Sequence, residues 1–169
     1  PTPSSAASDV YKRQPLQHAL SSENPTVLLY IFEPMLLDDP HYSERHWRFV
    51  WQSLQDMDAQ LTQHDQKVSV MFGNARDCLS AIQKQFNINA VFSHQEIGLN
   101  CTFERDKQVS AWLQAQGIPW HEFEHGAVVR GAKDRFGWDK HWDTVMRAPI
   151  EEVELCLLYT SPSPRDLDL

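Results

Sequence analysis

Cysteine is scarce in this sequence. Its three residues, Cys78, Cys101 and Cys156, form no CxxC pair and no ladder of spacings, which excludes a disulfide scaffold and favours a reduced, cytoplasmic protein. Glycine is equally sparse. The six glycines make neither GxGxxG nor a GxxxxGKS or GxxxxGKT run, so the dinucleotide fingerprint and the P-loop are both absent. No apolar stretch approaches the ~20 residues that cross a bilayer, and no signal peptide is visible, so no membrane partner is expected. Positive charge is also in deficit. Fifteen Lys and Arg against 23 Asp and Glu leave a net charge of −8, which argues against a main phosphate-neutralising surface in this segment.

The two ends lack apolar periodicity altogether. SSAASDVYKRQ, residues 4–14, back-translates into one adapter of transposase-based sequencing libraries, and CLLYTSPSPRD, residues 156–166, into the reverse complement that closes such an insert. Two such matches in the expected orientation identify 1–14 and 156–169 as translated adapter. Fold reasoning then rests on 15–150, with 151–155 as the start of an interdomain linker.

What is present is a one-domain length with enough apolar and aromatic residues, 41% and 11%, to build a core. VLLYIF (27–32) is a continuous apolar run of strand length, as a central parallel strand requires. Next, SERHWRFVWQSLQDMDAQLTQ repeats Trp47, Val50, Trp51, Leu54, Met57 and Leu61 at helical spacing behind Ser43 as N-cap. The unit repeats. KVSVMF (67–72) precedes a helix capped by Asn74 with Cys78, Leu79, Ile82 and Phe86 inward, and residues 90–93 precede a helix from about Thr102 that Gly117 ends. IPWHEFE supplies the last strand, and a short helix starts near Trp138. Strand and helix alternation predicts an α/β fold: a Rossmann-like parallel sheet with helices on both faces. Ligands of such sheets sit beyond the carboxyl ends of the strands, here EPM (33–35), FGNAR (72–76), SHQEIG (93–98) and EHGAVV (124–129).

The pieces VLLYIFEPMLL, HYSERHWRFVWQSLQDMDAQL, VMFGNARDCLSAI, AVFSHQEIGLNCTFERDKQVSAWLQAQGIPWHEFEHGAVVRG and GWDKHWDTVM follow one another in the order found in one family. Together they resemble the N-terminal α/β domain of the cryptochrome and DNA photolyase family. The resemblance implies a two-domain flavoprotein in which this domain often carries a light-harvesting antenna of folate or flavin type. A helical domain, absent here, holds FAD, contacts DNA and repairs or signals under blue light. It further implies that a central first strand, between 27–32 and 90–93, is missing from this stretch, replaced by adapter. The chain alone is then expected to be prone to aggregation, catalytically inactive and without partners of its own. The alternative class is a stand-alone, non-enzymatic nucleotide-binding or regulatory α/β domain.

The candidate antenna rim is His94, Gln95, Glu96 and Glu33. Glu96 is chosen because a carboxylate accepts two parallel N–H bonds from a pterin-like ring; a solvated loop acid is the plainer alternative. In folate-binding members an Asn-Glu pair precedes the Arg-Asp at the start of the next helix, and aligning on Arg105-Asp106 places Cys101 and Thr102 there, which speaks against folate. No catalytic residue and no metal site is expected. His121 and His125 are spaced HxxxH but flank a strand end, where that spacing does not converge the rings. Cys78 and the Trp47/Trp51 pair read as core, and His41, His46 and Arg48 as polar residues near a helix start that need no chromophore.

Overall fold

Four short strands, each followed or preceded by a helix, carry the backbone order read from the sequence. The computed structural model describes residues 14–22, 24–124 and 126–147. They fall into two compact units, one built from residues 22–88 and the other from 14–21 with 89–147.

In the first unit β1 (Leu29–Phe32) pairs in parallel with β2 (Ser69–Phe72), Leu29 opposite Ser69 and Phe32 opposite Phe72. The ladder is extended by Ser69 N–H to the Leu28 carbonyl (2.7 Å) and Gly73 N–H to the Phe32 carbonyl (3.0 Å). Between the strands run α1 (Pro34–Leu37) and α2 (Glu44–Leu61), the latter continued by a 3-10 turn at Thr62–His64; α3 (Ala75–Gln85) follows β2. Ser43 and Asn74 occupy the N-cap positions of α2 and α3 with extended backbone, but neither side chain makes the capping bond. At α3 the first N–H goes instead to Glu33, as described below. Asp58 on α2 accepts the Val68 N–H at 2.6 Å, so the approach to β2 is fixed by a helix side chain. The core consists of Leu54, Leu61, Val68, Cys78, Leu79 and Ile82.

The expected apolar stripe of α2 is only partly covered. Leu54 and Leu61 are buried, whereas Trp51 and Met57 remain 48% and 44% exposed, and Phe72 at the end of β2 is 69% exposed. A two-stranded ladder is narrower than the stripe it faces, so it covers one end of it.

In the second unit β3 (Val91–His94) pairs in parallel with β4 (Trp120–Phe123), Val91 opposite Trp120 and His94 opposite Phe123. They are joined through α4 (Asn100–Gln116), which ends at Gly117 with φ 70°. A helix at Gln14–Ser21, here α5 although it comes first in the chain, buries Ala19 and Leu20 and places the His18 ring 4.8 Å from Phe123. Residues 138–146 form α6 (Trp138–Met146). Leu113, 1% exposed, centres a core with Val109, Ile118 and Ala127. Trp120 is oriented by its indole N–H donating to Ser93 Oγ at 2.9 Å.

The α/β class and the parallel pairing are as the sequence implies. The described strands make two ladders, β1 with β2 and β3 with β4. Among the described residues, each of the four strands has a partner on one edge only. The adapter-like ends, Gln14 apart, and residues 148–155 lie outside the described residues. No helix among the described residues is long and apolar enough to cross a membrane.

Candidate functional site

At the carboxyl end of β1 one acid serves two helices. Glu33 is 2% exposed. Its carbonyl accepts the N–H groups of Leu36 and Leu37, starting α1, and its carboxylate accepts the Ala75 N–H at 3.1 Å, starting α3. A carboxylate at a helix N-terminus is favoured by the unpaired N–H groups and the helix dipole. The same acid acts on its surroundings. Tyr30 is held above the ordinary tyrosine range by its own burial first, then by Tyr42 and Glu33. The Cys78 thiol is pushed up by burial, then by Asp77 and Glu33, so it is a buried apolar residue and not a thiolate.

At the carboxyl ends of β3 and β4 the arrangement is ionic. Glu96 Oε1 accepts the Ile97 N–H at 3.0 Å, and Oε2 lies 3.4 Å from Arg105 Nη2. Arg105 Nε reaches Asp106 Oδ1 at 3.0 Å. Arg130 Nη2 donates to the Glu96 carbonyl at 2.9 Å and to Glu122 at 3.2 Å, and stands 3.8 Å from Asp106. Asp106 is 8% exposed, and burial raises it above the ordinary aspartate value, Glu96 adding to the rise while Arg105 and Arg130 oppose it. Three carboxylates thus share two guanidiniums. A Cβ at Gly98 would stand 2.7 Å from Glu96 Oε1, so a side chain there would push this carboxylate aside.

The remaining rim residues have local partners. His94 Nδ1 is 3.3 Å from the Glu124 carbonyl, and the Gln95 N–H prolongs the ladder to the Phe123 carbonyl at 2.7 Å. His141 on α6 meets the Glu124 carboxylate at 3.3 Å. The structure therefore gathers His94, Gln95 and Glu96 at one strand end, while Glu33 belongs to the other unit. As they stand, the Glu96 oxygens are engaged by the Ile97 N–H and by Arg105, so a ring that presents two N–H groups would share this carboxylate with them.

The other residues singled out in the sequence are accounted for locally. His41 Nδ1 lies 2.7 Å from Asp39, His46 packs edge-on to Tyr42, and Arg48 pairs with Glu44 one turn away. The His121 ring stacks on Phe92 at 4.9 Å; His125 lies outside the described residues. No group of three or more His, Cys, Asp or Glu among the described residues is arranged to hold a metal ion. The residue that sequence reasoning missed is Arg130, 34 positions from the carbonyl it holds.

Parallel strand pairs joined through helices, with polar residues collected where the strands end, define an α/β domain. Its family follows from the sequence profile of the DNA photolyases, which matches residues 12–144 of 169: the chain belongs to the DNA photolyase family. The match overlaps the adapter-like end at residues 12–14. No curated protein gives a match.

Proposed function

We propose that this chain is the antenna-side α/β domain of a light-driven cryptochrome- or photolyase-type flavoprotein, whose FAD-binding and DNA-contacting part belongs to a longer parent. The observation that carries this reading is the family match spanning both strand–helix–strand units. Alone, the chain then performs no repair, because the FAD that would drive it is held by the other part of the parent. Within the domain, Glu96 with His94 and Gln95 forms the rim nearest an antenna ring, and Glu33 is a structural acid. Each two-stranded ladder keeps an edge with which a further strand can pair.

The test uses the extended reading frame. The full-length product should copurify with flavin and absorb in the blue, and the 169-residue chain, given excess FAD and illuminated, should leave a damaged oligonucleotide unchanged. A flavin-free full-length protein, or light-dependent repair by the short chain, would overturn the reading. A stop codon directly after residue 155 would favour the stand-alone regulatory alternative. Adding the native upstream residues should raise the urea midpoint, since a two-stranded sheet is marginal by itself; an unchanged midpoint would remove the missing-strand argument.

A further inference from the structure

Residues 126–137 leave β4 and return to α6 as a loop whose two ends sit on glycines with left-handed backbone, Gly126 at φ 65° and Gly137 at φ 77°. Such conformations are accessible to glycine without strain and absorb large dihedral changes. The base of the loop is pinned by the Trp138 indole N–H donating to the Ala127 carbonyl at 3.2 Å, and Ala127 is buried. Beyond the base the loop is solvent-facing, with Val128 and Val129 about two-fifths exposed (43% and 41%) and Phe136 98% exposed. Apolar packing therefore contributes little to holding it in place.

Among the described residues, the side-chain hydrogen bonds that leave this loop for the rim come from Arg130. One guanidinium nitrogen spans the Glu96 carbonyl on the loop after β3 and the Glu122 carboxylate on β4, with Asp106 of α4 alongside. These groups lie on three separate segments, and Arg105 ties two of them to each other through Glu96 and Asp106.

We propose that residues 126–137 are a strap, closed over the ends of β3 and β4 by Arg130, and that release of this one side chain frees both the strap and the 95–98 rim. Arginine suits the task because its planar fork serves several acceptors at once, which a lysine ammonium on a flexible stem does not. The pinned base lets the strap turn about its glycines while α4 and the β3–β4 ladder stay folded. Arg130 holds the Glu96 carbonyl while Arg105 pairs with its carboxylate, so opening of the strap loosens the same rim residue that a ligand at Glu96 would meet. The strap itself stands whether or not an antenna binds.

Amide hydrogen exchange on the full chain, followed by mass spectrometry of overlapping peptides, tests this in wild type, Arg130→Met, Arg130→Lys and Glu122→Gln. Loss of a charge-assisted bond predicts about tenfold or faster exchange in peptides covering 95–98 and 127–132 for Arg130→Met. Arg130→Lys and Glu122→Gln should give smaller rises in the same two places, with the peptide around Val109 and Leu113 unchanged in all three. Unchanged exchange at 95–98 in Arg130→Met would overturn the proposal. So would a rise spread evenly along the chain, since Arg130 would then act on global stability and not on a strap.

Discussion

The two strand pairs are equally long and equally parallel, yet their carboxyl ends are closed by different chemistry. Beyond β1 and β2 a single buried acid, Glu33, is spent on backbone N–H groups of two helices. Beyond β3 and β4 five charged side chains hold one another and a carbonyl, with Arg130 arriving from a distant loop. A carboxylate that satisfies backbone donors organises the local turn and is shielded from solvent ions. A partly exposed ionic network holds segments together more loosely, because exposed pairs contribute little and are screened by salt. The first end is built to stay; the second is built to yield.

The largest expected effect tests whether the ionic end needs its network for stability at all. Leu113→Ala, at the centre of the β3–β4 core, should cost about 2–5 kcal/mol in urea unfolding, well above any single charge in the network. If Arg105→Met were as damaging as Leu113→Ala, the division between apolar support and ionic closure would collapse. Next comes the acid at the other end. Glu33→Ala leaves the Ala75 N–H without its acceptor and should cost about 1–3 kcal/mol, with Glu33→Gln recovering part of it through the amide oxygen. Equal losses in both variants would show that the acceptor is not what matters.

A smaller effect separates the two ends by pH. Asp106 titrates above the ordinary aspartate value in the folded chain, chiefly through burial. Its contribution to stability is therefore fully present below that ordinary value and is lost as pH rises through the raised one. The stability of Asp106→Asn relative to wild type should accordingly improve as pH rises across that window; a difference that is flat or falls would refute the raised value. Smallest of all, Phe72→Ser, at a position 69% exposed, should shift stability by no more than about 0.5 kcal/mol. A larger loss would mean that this face is covered in solution.

Legibility in the sequence followed the range of each interaction. Strands emerged within two residues of where VLLYIF, KVSVMF, AVFS and IPWHEFE place them, and Ser43, Asn74, Gly117 and Trp138 mark helix ends where expected. These signals are local, since propensity and backbone geometry act over one or two turns. The capping chemistry was not legible, because the acceptor for Ala75 comes from Glu33, 42 positions upstream. Nor was the helix at Gln14–Ser21, whose apolar residues are too few to show a period. The exposure of Trp51 and Met57 depends on the width of the sheet opposite them, which periodicity does not encode. Glu96 was found by its place after a strand; Arg130, which fixes its carbonyl, carries no local mark.

Glu33 has a bearing on what this scaffold refuses. In many α/β folds the start of the helix after a strand is a seat for phosphate, since its backbone N–H groups and dipole invite an anion. Here the chain has filled that seat at α3 with a negative charge of its own, sealed from water. A phosphate brought to the first turn of α3 would have to displace that carboxylate from the Ala75 N–H, so the chain itself already occupies the place.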